Sequence, residues 1–193
     1  MKRFLIYLII LFSISLYFVL TLFILPDLFL SNTQPVSQPY FDVSVSESEL
    51  FLGESFRIEI ESSNKGDYGD IHIVSVAFPD LIEINDVAKI VTYDFTQSPS
   101  YFSIGDEIGS KYSGGLETTF SKYPSIEAMS RPVQTGSEYN FHLVITPDKL
   151  GEFLIFVKSV NIPHTNDLSH YPNSGTLDHQ DEFVSVFSVN VNP

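Results

Sequence analysis

Hydrophobic positions along this chain change period twice. From Phe4 to Leu25 the run is continuous, broken only by the uncharged Ser13, Ser15 and Thr21. Twenty-two helical residues at about 1.5 Å each reach about 33 Å, enough to cross a bilayer core of about 30 Å. Lipid leaves no backbone group unpaired, so such a run predicts a helix. From Phe41 the period becomes two. Phe41, Val43 and Val45 alternate with Asp42, Ser44 and Ser46, and Phe56, Ile58 and Ile60 alternate with Arg57, Glu59 and Glu61. Each such segment predicts a strand with one buried face. Tyr139, Phe141, Leu143 and Ile145 repeat the pattern.

Other strands are less regular. Ile71 to Phe78 slips parity between Ile73 and Val74, which predicts a bulge or two buried faces. Ala88 to Phe95 predicts a fourth strand. Phe153 to Val160 is apolar on both parities, as in a central strand, and Glu182 to Val191 switches parity near Val186, which predicts a bulge there. Between these lie turn clusters at 64–70 and 146–151 and two long loops, 97–136 and 163–180. Within the first loop, Pro124 to Met129 predicts a short helical turn, with a further strand around Leu116 to Phe120 as the alternative to an unbroken loop. The count is about seven strands, which predicts an all-β, immunoglobulin-like antiparallel β-sandwich with two long loops, preceded by one N-terminal transmembrane helix. An open barrel and a cupredoxin-like sandwich are the alternatives.

The chain therefore divides into an anchor over 1–30, a linker over 31–39 and a sandwich over 40–193. The apolar run is longer than a signal peptide's, and no small-x-small site follows it, so an uncleaved signal-anchor is expected. Lys2 and Arg3 precede the run and the next basic residue is Arg57. That asymmetry predicts a single-pass cell-membrane protein with a cytoplasmic N-terminus and an extracytoplasmic C-terminal domain. Cysteine is absent, so neither a lipoprotein anchor nor a disulfide framework is available.

Charge narrows the partners. Beyond Leu25 the chain holds all 24 acidic residues and 8 of the 10 basic ones, a net charge of −16. Such a field opposes nucleic acid and anionic headgroups and suits cations or a basic partner. Nucleophile-elbow, zincin, P-loop and dinucleotide-binding motifs are all missing, so no enzyme is expected. The glycine-rich stretch 109–115 lies in an acidic-flanked loop and predicts flexibility rather than phosphate binding.

Metal chemistry has one candidate. His164, His170 and His179 fall within sixteen residues, among Asp167, Asp178, Asp181 and Glu182. Imidazole and carboxylate suit copper or zinc, though the H-x5-H-x8-H spacing fits no standard strand or helix site. The acidic turns Asn64, Asp67, Asp70 and Asp80, Glu83, Asn85, Asp86 are candidates for Ca, without an EF-hand pattern. His72 shares parity with Val74 and Val76 and reads as a core histidine, whereas His142 falls on a polar face.

Two stretches carry a resemblance. Val45 to Ile60 is a strand, an acidic link with Gly53-Glu54, and an alternating strand. Gly136 to Phe153 runs a strand into Thr146-Pro147 and then Gly151-Glu152-Phe153. Together they resemble the immunoglobulin-like, adhesion-related β-sandwich modules of archaeal and bacterial surface proteins. The resemblance implies that Gly turns the corner, that an aromatic opens the next strand, and that the module binds another membrane or cell-surface protein rather than catalysing. Tyr93, Phe95, Tyr101, Phe102, Tyr112, Phe120 and Tyr123, in or beside the 97–136 loop, are either a candidate contact surface, alongside the 163–181 loop, or a cover over the end of the sandwich.

Overall fold

The computed structural model describes residues 2–21, 36–84, 87–108, 120–162 and 168–193. It divides into two units, Met1–Gln34 and Pro35–Pro193. In the first, Lys2–Val19 forms helix α1. Its large apolar side chains from Phe4 onward are exposed on every face. Eighteen residues reach about 27 Å, and no helix among the described residues is long and apolar enough to cross a membrane. The rest of the predicted anchor, from residue 22, lies outside the described residues.

The second unit is a sandwich of two β-sheets. The smaller contains β1 (Pro39–Val45), β3 (Phe56–Asn64), β5 (Ala88–Tyr93) and β8 (Glu138–Ile145), in the order β1-β3-β8-β5. All its pairs are antiparallel. The larger contains β4 (Ile71–Ala77), β6 (Ser100–Phe102), β7 (Ser125–Ser130), β9 (Gly151–Ile162), β11 (Thr176–Leu177) and β12 (Phe183–Asn192), in the order β11-β12-β9-β4-β7-β6. Two short strands complete it. β10 (Ser169–Tyr171) pairs with the last residues of β9, and β2 (Glu49–Phe51) runs parallel to the end of β12. The expected count of about seven is thus too low: twelve strands stand among the described residues, and one pair is parallel.

Alternation explains the core. Phe56, Ile58 and Ile60 of β3 and Phe141, Leu143 and Ile145 of β8 point inward. They meet Val74 and Val76 of β4, Ile126 and Ala128 of β7, Phe153, Ile155 and Val157 of β9, and Val189 and Val191 of β12. Phe56 and Phe153 touch edge-to-face across the gap at 6.1 Å. Gly151 has φ 105°, a left-handed conformation that favours glycine, and Phe153 follows it into the core, so the expected glycine corner and aromatic strand start are both present.

Two expectations are corrected. Pro124 to Met129 forms no helical turn. β7 is a strand with all six residues buried, because Ile126 and Ala128 face the core while Glu127 and Met129 face outward beneath a covering layer. β12 has no bulge near Val186: its register with β9 is continuous from Ser185 to Val191, and the parity switch reflects apolar residues on both faces. Parity in β4 slips for the same reason, and the strand is buried on two faces without a bulge. The bulge falls instead in β5, between Ile90 and Thr92. Residues 109–119, with the glycine-rich stretch and most of the alternative strand, lie outside the described residues.

A buried polar knot ties the two sheets at the end where the chain enters at Val36. Asn64 ends β3 and is fully buried. Its Oδ1 accepts from Gln38 N at 3.0 Å, Gly66 N at 3.2 Å and Asn161 Nδ2 at 3.1 Å. Asn161, on β9, offers Oδ1 to Nδ1 of His72 on β4. His72 Nε2 accepts from Ser62 Oγ on β3 at 2.8 Å. Phe95 and Tyr139 stack on the imidazole at 6.1 and 5.4 Å. Gly66 is required because a Cβ there would lie 2.2 Å from the Val36 carbonyl oxygen. His72 is therefore the core histidine its parity predicts, held neutral.

Burial pushes the His72 pKa down from 6.5 to about 4, against a raising hydrogen bond from Asn161. The unfolded chain then binds the extra proton between these values, so stability is full above pH 6.5 and falls as pH drops toward 4. The loss from this group should approach about 3 kcal/mol. Urea melts at stepped pH should show that slope, and His72→Gln, though less stable at neutral pH, should flatten most of it.

Candidate functional site

β9 places Val157 and Ser159 toward the core, so Lys158 between them points out from the larger sheet. Its side chain is nevertheless only 8% exposed. Two segments cross over it. One is the turn after β11, where Asp178 N donates to Glu182 O at 2.8 Å and Asp181 takes a left-handed φ of 60°. The other runs through Ser121 and Tyr123 into β7. They meet where the Tyr123 and His179 rings pack edge-on at 5.1 Å and Lys122 N donates to His179 Nε2 at 3.3 Å. Described parts of the two long loops thus meet over the outer face of the larger sheet.

The space they enclose with the sheet is small, about 20 Å³, lined by Ser75, Ser125, Glu127, Phe156, Lys158 and Asp178 among others. That is room for a water molecule. Lys158 Nζ donates to Asp178 Oδ2 at 2.7 Å, to Gln180 Oε1 at 3.0 Å and to the Glu182 carboxylate. Asp178 Oδ1 faces the other way and accepts from the backbone N–H of Gln180 at 2.7 Å and of Glu182 at 3.1 Å. Burial alone would raise the Asp178 pKa. The Lys158 ammonium and the two N–H donors outweigh it and hold the carboxyl below its ordinary range.

The predicted metal residues divide around this cluster. His164 lies outside the described residues, as does Asp167. His170, on β10 opposite Val160, flanks Lys158 on the same face. Burial lowers its pKa, with Glu182 and Asp178 opposing and Lys158 assisting. Burial likewise lowers His179, against the raising charge of Asp178. Among the described residues no group of three or more His, Asp or Glu is placed to hold a metal ion. The position a cation would take between Asp178 and Glu182 is held by the Lys158 ammonium.

The calcium candidates serve turns. Asp67 Oδ2 accepts from Val36 N at 3.0 Å, and Asp80 Oδ2 from Leu154 N at 2.8 Å. Asn85 and Asp86 lie outside the described residues. His142 sits opposite Glu59, on the polar side of its strand. Sequence reasoning missed Lys158. Its signal was a single charge in a strand apolar on both parities, which requires nearby carboxylates.

No protein-family model matches the sequence, and no curated protein matches it. Solved structures resemble its fold at low identity. AvmM, which catalyses macrocyclization in alchivemycin A biosynthesis, is 10% identical over 81% of this chain and 89% of that one, with a TM-score of 0.44. A putative membrane anchored protein from Corynebacterium diphtheriae is 12% identical over 80% of this chain and 36% of that one, with a TM-score of 0.42. The CARDB domain of a Pyrococcus furiosus protein, in complex with di-metal ions, is 11% identical over 83% of this chain and 90% of that one, with a TM-score of 0.35. Likeness at this level carries nothing about activity. The strand pairing itself defines the class, an all-β two-sheet sandwich.

Removing one partner from a buried ion cluster strands the others. Lys158→Ala should therefore cost about 3–5 kcal/mol in denaturant melts. Arg57→Ala, which breaks the exposed Arg57–Glu59 pair at 3.3 Å, should cost under about 1 kcal/mol.

Proposed function

We propose that this chain is a membrane-anchored, extracytoplasmic immunoglobulin-like module that docks onto another membrane or cell-surface protein. Helix α1 supports the anchor: it is apolar on every face, and such a helix needs an apolar environment all round. Lys2 and Arg3 in its first turn, ahead of the apolar run, favour a cytoplasmic N-terminus.

The observation that carries the docking half is the end of the sandwich opposite the entry at Val36. Phe51, Leu52, Ile82, Ile104 and Leu150 stand there in turns or at a strand end, each between 49% and 69% exposed. The turn bearing Leu150 touches the turn bearing Ile82 through Lys149 Nζ to Asp80 O at 3.3 Å. Ile82, Tyr101 and Ile104 line one groove. Neither sheet needs these side chains for its core. Glu54, Asp80, Glu83 and Asp106 lie beside them in sequence, so the complementary surface is apolar with a basic rim. The 97–136 loop supplies Tyr101 and Ile104 to this surface, while Asp178, Gln180 and Glu182 cover Lys158.

Full-length protein cross-linked in native membranes should bring down a discrete partner. Ile82→Asp combined with Leu150→Asp should abolish that recovery with the melting temperature of the domain nearly unchanged, since both sites are exposed. Recovery of the wild-type chain alone, or equal recovery with the double variant, would overturn the reading.

A further inference from the structure

We propose that the groove at the exposed apolar end is a binding site for one long basic side chain, an arginine or lysine of the docked partner. This rests on the docking reading above and adds what the partner must carry. The groove, of about 340 Å³, lies between the turn that follows β4 and the turn that follows β6. Ile82 and Ile84 line it from the first turn, with Glu83 between them in sequence, and Tyr101 and Ile104 line it from β6 and the second turn.

Glu83 differs from the other acids of this end in having no structural duty. Glu54 Oε2 accepts from Phe51 N at 2.8 Å, Asp80 Oδ2 from Leu154 N at 2.8 Å and Asp106 Oδ2 from Ser103 N at 2.7 Å. Each of those carboxylates holds a turn or a strand end in shape. Among the described residues, no hydrogen bond or ion pair engages the Glu83 carboxylate. Lys149, on the turn that touches this one, donates to the Asp80 carbonyl oxygen instead.

A carboxylate without a partner, set in apolar surface, specifies its ligand. A wholly apolar group would cover Glu83 and leave its charge unpaired, which is unfavourable. An anion would be repelled. A small hydrated cation would meet the charge and leave Ile82 and Ile104 in water. Lysine and arginine satisfy both demands: the hydrocarbon stem lies along the isoleucines and the charged head reaches the carboxylate. Tyr101, 52% exposed, offers a ring to the same cation. A second copy of this chain is a poor donor, because beyond Leu25 acids outnumber bases 24 to 8 and two such ends repel. The occupant is therefore a basic side chain of a different protein.

The test uses the full-length chain in lipid nanodiscs with isotope-labelled isoleucine methyl groups, titrated with the capped tripeptide acetyl-Leu-Arg-Leu-amide. Saturable shifts are expected at the Ile82 and Ile104 methyls, and they should be lost with Glu83→Gln and with a peptide carrying glutamine in place of arginine. Glu83 is exposed and holds no turn, so the variant should keep the wild-type melting temperature. No shift at millimolar peptide, or equal shifts with the glutamine peptide, overturns the proposal. Cross-linking in native membranes separates it from the docking reading. There Glu83→Gln should lower recovery of the partner on the order of tenfold. A partner recovered undiminished from the variant overturns the basic-side-chain site and leaves docking standing. Peptide binding with no partner recovered from the wild type supports the site and removes the docking reading. A cross-linked product of twice the chain mass would name a second copy and overturn the choice of occupant.

Discussion

The larger sheet has an outer face that cannot be left to water, and much of the second unit is arranged around covering it. Ile73, Met129 and Val160 form a second apolar cluster on that face, with Ile71, Ile162 and Leu168 packed against it. Phe156, Lys158 and Val184 lie beside them. A Lys ammonium among such neighbours needs carboxylates, and apolar side chains there need a lid. The two long connections supply both. One brings Tyr123 onto Phe156, ring to ring at 6.0 Å, and the other brings Asp178, Gln180 and Glu182 onto Nζ. The result is a sandwich with a third, irregular layer.

This covering explains which parts of the fold the sequence displayed. β3 and β8 each bury one face, so their alternation was plain. Phe56 to Ile60 and Tyr139 to Ile145 could be assigned as strands from it alone. β4, β7 and β9 from Phe153 onward carry buried or half-buried residues on both faces, and period two then loses its meaning. In β7, Glu127 is as buried as Ile126, at 3% and 0% exposed. No rule of alternation finds a strand in which a carboxylate and an isoleucine are equally enclosed. The parity slip in β4 comes from its two buried faces, one of the two readings it allows, and the switch in β12 comes from apolar residues on both faces rather than from a bulge.

The candidate site was half legible. The acidic residues of the 178–182 turn stood out because three histidines lie among or near them. What they pair with did not, because Lys158 lies at least 20 residues away and its side chain reaches them through space. His72 was legible from parity alone, since a histidine sharing parity with the inward-facing Val74 and Val76 must find polar partners. Asn64 and Asn161 provide the rest of that network, and no local pattern marks either as buried. The exposed apolar end was the least visible. Exposed apolar residues in turns carry no period, and only the fold gathers Phe51, Leu150 and Ile82 at one end.

Two regions therefore divide the work. The end at Val36 is knotted by Asn64, Asn161 and His72, which holds both sheets against the incoming chain. The opposite end keeps its apolar side chains free. Between them the covered face adds rigidity without disulfides. Amide hydrogen exchange on the full-length chain tests the covering layer most directly. If the account is right, the Gln180 and Glu182 amides, bonded to Asp178, exchange slowly and together with β9 and β7. Exchange at the rate of an open loop, with β9 still protected, would contradict it.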